Sequence, residues 1–591
     1  VLDLKSTTAA VTIDAAGLHN DGIAGGANGG SVVLTGVGIV VGAGGLSANG
    51  FGNGNGGTLN LSSTSTVSVD GSLIASAGAG GTGVGGTISL NSSSNATVTG
   101  SLIANGGAGS ITLSSSTTLL VGGSLIADAG ASGSGGTISV SLNNSSATPF
   151  VLGAGATTIG ILGNLQSQGG SSIAGLGGSG GTITINNSGT GVMQIAPANI
   201  KVAASAAPTG GLGGNVSILN PNGTISFSAG TLDISSTGAT GTLNFGGNLV
   251  IQAASVSTAG VLQLTSNGAA SGNGGSISIS ATGAGSGLTF SSIAGIAVSA
   301  RGGSVSSGAG NGGKLTAISG GSTSVAANSI NLGPLGLNGS GGQLSLSAGT
   351  AAGGGNLTVN QSLDLSGAGN GSGGVITLNA GTNALAGNVF VAGSVAANGG
   401  STGSGGSITI FANSPLPSGI AGVITANGGT SSGSGGSIAV SNANAAGLQL
   451  TGGFALSASA VGKGAGGTIK LTAPNGTVNS SGGSITANAA GIGTVKGGTV
   501  QISGTSLINS APGAAILISA AGSDIGAGGS ITLTSTGAGS DILIGGNASE
   551  FSLNARSGLG GANGGVLTVK AGRDVLVSNS SFLNVRNDGG G

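Results

Sequence analysis

Apolar and polar residues alternate over short stretches along the whole chain. Clear examples are GTISL ending at Leu90, TVSVD over residues 66–70 and SLIAS over residues 72–76. Alternation with a period of two, rich in Ile, Val, Ser and Thr, is typical of β-strands that bury one face. No stretch shows the 3.6-residue period of an amphipathic helix. The pattern therefore predicts an all-β protein made of many short strands.

The strands belong to a repeat. Each repeat contains a hexad of two glycines, one further residue and an apolar–any–apolar triplet, and the mean spacing is about 31 residues. The copies begin at Gly29, Gly56, Gly85, Gly135, Gly180, Gly213, Gly246, Gly274, Gly312, Gly341, Gly373, Gly405, Gly435, Gly466, Gly497, Gly528 and Gly564, with a degenerate copy at Ala108. We expect about three short strands per repeat and one Gly-rich corner, where Gly and Asn adopt positive φ.

One repeat cannot fold alone, because about 31 residues bury too little apolar surface to offset about 1–2 kcal/mol of backbone entropy per residue. Stacked repeats share a continuous core. The sequence therefore predicts one continuous solenoid over residues 1–591, a right-handed parallel β-helix of about 19 coils of about 31 residues. Two smaller coils per repeat is the alternative. The long steps after Gly85 and Gly135 predict inserted loops around 91–135 and 141–180.

The amino-acid composition argues against several classes of protein. The 591 residues include 135 Gly and no Cys, and only 4% are charged. Residues 6–200 contain no Lys or Arg, which argues against a nucleic-acid partner. No apolar run approaches the roughly 18 residues of a membrane span, so we expect no membrane insertion. The absence of cysteine is compatible with export across a membrane. Disordered chains are far less apolar than this one, so we expect this chain to fold.

The repeat region resembles filamentous haemagglutinin-like exoproteins, the bacterial surface proteins secreted by the two-partner route. The resemblance is carried by the GG-polar-ITL hexads and by NPNGTISF over Asn220–Phe227, which is similar to a turn of that family's secretion domain. A weaker copy, APNGTV, begins at Ala473. The resemblance implies a right-handed β-helix at the cell surface with an adhesive or fibre-forming role. We favour the interpretation that Asn-Gly simply makes a tight turn between strands.

The chain offers few of the acidic and histidine side chains that catalytic and metal sites require. Asp70 and Asp128 occur in related contexts, yet we interpret them as isolated turn or surface aspartates, not as a glycosidase pair. His19, beside Asp21, is the single imidazole and is expected in a solvated loop. GAGSDILIGG over residues 537–546 resembles one nonapeptide of calcium-binding β-rolls, with Asp541 as ligand, and GSDIGAGG at Asp524 echoes it only in part. We therefore predict no catalytic residue, no metal, no cofactor and no enzymatic activity.

Hydroxyl groups recur on the polar side of the hexads. The pairs are Thr87 and Ser89, Thr137 and Ser139, Thr182 and Thr184, Ser407 and Thr409, and Ser530 and Thr532. Such ladders resemble the Thr arrays of ice-binding solenoids. Lys314, Gln343, Val375, Lys470 and Gln501 interrupt the array, which favours plain solvation or cross-strand pairing. Ice binding is kept as a minor hypothesis.

The ends of the chain are strand-like and bring no helical cap, and uncapped solenoid ends pair with other chains. Eight charged residues, Asp588 among them, fall in the last 51 residues, where they either blunt the edge or set the register of a head-to-tail polymer. We expect an extracellular structural protein, a subunit or segment of a bacterial surface fibre whose partners are copies of itself. The alternative is an adhesin that binds surface glycans through the inserted loops. The predicted assembly interface is Val1, Leu2, Leu4, Phe582, Leu583, Val585 and Arg586.

Overall fold

The protein consists of two compact units of β-solenoid. The computed structural model describes residues 1–79, 82–130, 133–153, 158–170, 177–202, 211–237, 244–304, 310–326, 328–381, 386–415, 417–510, 515–545, 550–560, 563–579 and 582–586. The first unit comprises residues 1–281 and 293–305, and the second comprises 282–292 and 306–591. Within the described part of the chain, helix is limited to the 3-10 turn Pro197–Asn199 and to Phe582, which is also in 3-10 conformation.

Short strands dominate both units. The first strands along the chain are β1 (Leu2–Lys5), β2 (Ala10–Ile13), β3 (Leu18–His19), β4 (Ser31–Gly36), β5 (Gly38–Val41), β6 (Leu46–Ser47), β7 (Thr58–Ser63), β8 (Val67–Val69), β9 (Leu73–Ile74), β10 (Thr87–Ser92), β11 (Asn95–Val98), β12 (Leu102–Ile103), β13 (Ser110–Ser115), β14 (Thr118–Val121), β15 (Leu125–Ile126), β16 (Thr137–Leu142), β17 (Phe150–Leu152), β18 (Gly160–Ile161), β19 (Leu165–Gln166), β20 (Thr182–Asn187), β21 (Met193–Ile195), β22 (Ile200–Lys201), β23 (Asn215–Asp233), β24 (Asn248–Thr265), β25 (Ser276–Ala281), β26 (Leu288–Phe290) and β27 (Gly295–Ser299).

The strands that follow, all in the second unit, are β28 (Lys314–Ser319), β29 (Thr323–Val325), β30 (Ile330–Asn331), β31 (Gln343–Ala348), β32 (Leu357–Val359), β33 (Leu363–Asp364), β34 (Val375–Ala380), β35 (Val389–Val391), β36 (Val395–Ala396), β37 (Ser407–Ala412), β38 (Ser418–Ile420), β39 (Val423–Thr425), β40 (Ser437–Asn442), β41 (Leu448–Leu450), β42 (Phe454–Ser457), β43 (Thr468–Ser480), β44 (Gly483–Thr486), β45 (Thr499–Asn509), β46 (Ile516–Ser519), β47 (Ser530–Ser535), β48 (Ile542–Ile544), β49 (Phe551–Asn554), β50 (Val566–Lys570), β51 (Val575–Val577) and β52 (Leu583–Asn584).

Each turn has three faces. The hexad supplies a first-face strand, usually of six residues, and shorter strands form the second and third faces. Hexads of successive repeats pair directly and in parallel, as in Ile88↔Ile111 and Ile111↔Ile138. One repeat is therefore one turn, and the alternative of two coils per repeat is wrong. The all-β parallel solenoid is confirmed, with about 17 turns of about 31 residues instead of about 19. The handedness stays a prediction.

The core is a set of apolar columns. The second and fourth residues of each hexad strand point inward, so that Ile88, Ile111, Ile138 and Ile183 stack with no exposed surface. The same alternation buries one side of the second-face and third-face strands. Because each side chain lies over its equivalent in the next turn, every turn completes the core of its neighbours.

The paired glycines of the hexads are required by close packing of neighbouring backbones. A Cβ on Gly436 would overlap the carbonyl oxygen of Gly406 and would lie 2.6 Å from the carbonyl carbon of Gly405. Gly436 has an ordinary φ, so the predicted positive φ does not explain this glycine. Positive φ occurs at other positions, for example at Gly433, where it is +111°.

Polar side chains form ladders between turns. In the first unit, the Asn105 Oδ1 atom accepts the Asp128 backbone N–H at 3.1 Å, and the Asp128 Oδ1 atom accepts the Gln168 N–H at 2.7 Å. In the second unit, the Asn427 Oδ1 atom accepts the Ser459 N–H at 2.9 Å. In each case a side chain after the third face bonds the backbone of the following turn, so the ladder fixes the register outside the core.

The described residues of 91–135, which leave out 131 and 132, do not form the inserted loop that the spacing predicts. They contain β11–β15, and β13 pairs in register with β10 and β16. The degenerate hexad at Ala108 starts a full turn whose corners are short. Within 141–180 the second face gains one short strand, because β18 pairs with β14 while β17 pairs with β18 and β21. Residues 154–157 and 171–176 of that segment lie outside the described part.

Candidate functional site

The first turn of the first unit presents an open strand edge. Among the described strands, β1 pairs only with β4 and β2 only with β5. Leu2 and Leu4 occupy the inward positions of β1 and are half-buried, whereas Val1 is 97% exposed. Asp3 and Lys5 point outward and form an exposed ion pair of 3.0 Å. The predicted residues at this end therefore lie on an edge, and their role in assembly stays a prediction.

Among the described strands, those of the last turn of the second unit form a second open edge. Leu583 lies in β52, which pairs with β49, and Phe582 precedes that strand. Val585 is 43% exposed and Arg586 is exposed. These four predicted residues belong to the third face of the turn, so they make up only part of the edge.

The sequence reasoning missed the rest of this edge. Strand β50 pairs with β47, and β51 pairs with β48 at Ile542↔Val575 and Ile544↔Val577. Val575 and Val577 continue the inward column of the second face but are 42% and 45% exposed. The hexad at Gly564 could have revealed this part of the edge. It is the last hexad in the sequence, so its strand, β50, belongs to the last turn.

An ion pair beside this edge involves Asp541, the acidic residue of the segment that resembles a calcium-binding nonapeptide. Arg573 donates from Nε to the Asp541 Oδ1 atom at 2.8 Å and from Nη2 to Oδ2. These hydrogen bonds lower the pKa of Asp541 and raise that of Arg573. Asp524 accepts the Gly493 N–H at 3.3 Å. Among the described residues, no three His, Asp or Glu side chains are grouped to hold a metal ion. Asp588 lies outside the described residues.

The structure brings together His19, Ser47 and Asp21, which sequence reasoning did not predict. Ser47 Oγ donates to Asp21 Oδ2 at 2.8 Å and lies 2.7 Å from His19 Nδ1. Because the hydroxyl proton points to Asp21, Nδ1 is the donor in the second contact. A nucleophilic serine instead donates to a histidine that the aspartate orients. Ser47 is also only 5% exposed. The cluster therefore ties β3 to β6 and does not form a triad.

Asp70 and Asp128 are separated within their turns. Asp70 follows β8 at the corner between the second and third faces, whereas Asp128 follows β15, after the third face. Burial raises the pKa of Asp128, while hydrogen bonds from Gln168 and Gln166 and the charge of Lys201 lower it. Asp128 is a member of the polar ladder, so its carboxylate has a structural partner on the next turn.

The first face of the first unit carries an uncharged array. In five successive turns, β7, β10, β13, β16 and β20, every outward residue is Ser, Thr or Asn. The array comprises Thr58, Asn60, Ser62, Thr87, Ser89, Asn91, Ser110, Thr112, Ser114, Thr137, Ser139, Ser141, Thr182, Thr184 and Asn186. All five predicted interruptions belong to the second unit. Ice binding by this face stays a prediction.

An open groove lies beside β17 in the first unit. Its volume is about 360 Å³, and its lining includes Val151, Leu152, Gln194, Ile195, Ala196, Ser226, Phe227, Ser228 and Ala259. Gln194 is exposed and can both donate and accept hydrogen bonds. The extra strand of residues 150–152 forms one wall of the groove.

Comparison with known protein families, curated proteins and solved structures gave no match. The fold assignment therefore rests on the strand pairing within each unit, and the likeness to haemagglutinin-like exoproteins stays a resemblance. Among the described residues, no helix is long and apolar enough to cross a membrane.

Proposed function

We propose that the chain is a non-catalytic structural part of an extracellular fibre on a bacterial cell surface, to which further copies add end to end. The observation that carries the proposal is the parallel stacking of the turns, which continues a core column to Val575 and Val577, where both valines are half-exposed among the described residues. A further turn would cover both valines and pair the free edge. Covering the exposed part of each valine contributes about 1 kcal/mol.

Charge at the two edges gives the proposal a specific test. If a second copy continued the repeat register, Lys5 of β1 would lie beside Lys570 of β50, because both align with the fifth residue of the hexad strands, Thr35 of β4 and Thr534 of β47. Asp3 would lie diagonally from Lys570. Like charges on adjacent strands are destabilising, so Lys570→Glu should strengthen association, and more so at low salt.

Negative-stain electron microscopy over a dilution series tests the assembly directly. We expect filaments of single-solenoid width that lengthen with protein concentration and with Lys570→Glu. Val575→Lys should abolish them, because it places a charge in the contact. Val375→Lys is the matched control, since Val375 is 44% exposed but lies within the first face, away from both edges. Discrete particles at every concentration in both the parent and Lys570→Glu would overturn the proposal.

The groove beside β17 favours a second candidate function, a surface adhesin that binds glycans. Its volume matches a small ligand site, and Gln194, Ser226 and Ser228 offer hydrogen bonds to sugar hydroxyls. A glycan array with the whole chain tests this function. Binding lost in Gln194→Ala but kept in Gln263→Ala, an exposed glutamine outside the groove lining, would support it. An array without any binding would eliminate it.

A further inference from the structure

One corner of the second unit exposes aliphatic side chains in four successive turns. The corner is the Gly-rich tract between a third-face strand and the next hexad strand. Val461, Ile492, Ile525 and Leu559 are 53%, 78%, 42% and 77% exposed. We call these four residues and the tracts that carry them the aliphatic corner. Equivalent tracts in the three preceding turns place Asn370, Thr402 and Ser431 there instead.

Neighbouring tracts of the aliphatic corner contact one another. A Cβ on Gly491 would lie 2.8 Å from the Lys463 Cα atom, and a Cβ on Gly560 would lie 2.7 Å from the Ile525 Cγ2 atom. The Gly560 N–H donates to the Asp524 carbonyl at 2.9 Å. Successive turns of a solenoid are about 4.8 Å apart, so the four aliphatic side chains form a strip about 14 Å long.

Basic residues flank this strip. Lys463, Lys496 and Arg556 lie in the same tracts and are exposed, and Asp524 is the one acidic residue of these tracts. The Asp524 carboxylate accepts the Gly493 N–H. The chain has only 11 Lys and Arg residues, so three of them within four corner tracts is a marked concentration. Aliphatic side chains flanked by a net positive charge fit the boundary between acyl chains and anionic headgroups.

We propose that the aliphatic corner docks on an anionic lipid bilayer. Ile492 and Leu559, the most exposed pair, enter the headgroup–acyl boundary, while Lys463 and Lys496 stay at the level of the lipid phosphates. This contact is peripheral and needs no spanning segment. It is independent of fibre assembly, because the corner lies along the side of the turns and not on their open edges.

The first unit provides a natural comparison. Ile23, Phe51 and Val84 are exposed at 89%, 50% and 47% on the corresponding Gly-rich corner. No Lys or Arg occurs between residues 6 and 200, so that corner is apolar without cations. If apolar exposure alone drove lipid binding, both corners would bind, and neutral vesicles would serve as well as anionic ones.

Flotation of the whole chain with vesicles tests the proposal. Vesicles of phosphatidylcholine with 30% phosphatidylglycerol should retain the protein, and pure phosphatidylcholine vesicles should retain far less. The double variant Lys463→Gln/Lys496→Gln should weaken partitioning about 25-fold, since one surface lysine is worth about fivefold. Ile492→Ser/Leu559→Ser should weaken it at least tenfold, and Ile23→Ser/Val84→Ser is the matched control that should leave it unchanged. All the substituted side chains are exposed, and circular dichroism checks that the strands are retained.

Several outcomes would overturn the proposal. Equal binding to neutral vesicles would exclude the role of the lysines. Equal loss in the first-unit control would assign the binding to general apolar exposure. If binding depends on salt but is unchanged in Ile492→Ser/Leu559→Ser, the contact is electrostatic alone and the aliphatic side chains have no part in it. Absence of vesicle binding, with capture of the corner by an apolar protein groove instead, would identify a protein partner.

Discussion

Replacing one hexad glycine by alanine should separate two turns of the second unit. In Gly436→Ala, the new methyl group would overlap the Gly406 carbonyl oxygen and approach the Gly405 carbonyl carbon to 2.6 Å. All these atoms belong to the backbone, so no side chain can rotate away. The hydrogen bonds from the Gly436 N–H to the Ala426 carbonyl and from the Ser437 N–H to the Gly406 carbonyl, 2.6 and 2.9 Å, lie at the site of the overlap.

The cost follows from these contacts. Overpacking by one methyl group typically costs about 1–3 kcal/mol, and weakening two hydrogen bonds adds about 0.5–1.5 kcal/mol for each. We therefore expect Gly436→Ala to lower the free energy of unfolding of the second unit by about 2–6 kcal/mol. Gly539→Ala is the matched control, because its Cβ would meet no atom within 4 Å and its φ is ordinary. That variant should be neutral or slightly stabilising.

Urea unfolding gives the loss of stability, and hydrogen exchange locates it. Repeat arrays can unfold in segments, so exchange is the decisive measurement. Peptides that cover residues 405–441 should exchange faster in Gly436→Ala, whereas the first unit should be unchanged. If Gly436→Ala and Gly539→Ala differ by less than about 0.5 kcal/mol, with equal exchange, close backbone packing is not the reason for the paired glycines.

Three further predictions concern polar side chains. Asn427→Ala removes the acceptor of the Ser459 N–H and should cost about 1–3 kcal/mol in urea unfolding, whereas Asn427→Asp should cost less, because it keeps an acceptor. Burial raises the pKa of Asp128, so its ionisation opposes folding as the pH rises from the ordinary carboxyl range through the raised value. Asp128→Asn should therefore gain stability relative to the parent at pH 7 but not at pH 3, and unchanged differences would contradict this sign. Arg573 lowers the pKa of Asp541, so Arg573→Gln should return that pKa towards its ordinary range in a carboxyl NMR titration.

The sequence predicts the fold because the hexads carry both the strand pattern and the register. Ile88, Ile111 and Ile138 occupy equivalent hexad positions, and the structure stacks them. The lengths of the corners between strands were harder to predict, because a turn can use fewer corner residues without losing its strands. The turn from Ile88 to Ile111 shows this, since its compact corners were interpreted as part of an insertion.

The polar features of the candidate site were largely inaccessible to sequence reasoning. The approach of Ser47 to His19 and Asp21 depends on which residues of neighbouring turns face each other at a corner. The Asn427 ladder has the same origin. The NPNG segment at Asn220 fits the plain turn interpretation. Asn220 is fully buried, and its side chain donates to the Thr224 carbonyl at 2.9 Å.

Stacking by parallel pairing also determines how each unit would respond to a pulling force. The hydrogen bonds between turns run along the direction in which turns stack, so tension on a terminal strand loads one interface before the next. Turns would peel off singly, and each would release about 31 residues, or about 100 Å of contour length. The peak force would then depend on one interface and not on the number of turns. A longer solenoid would gain reach and energy absorption without becoming harder to open.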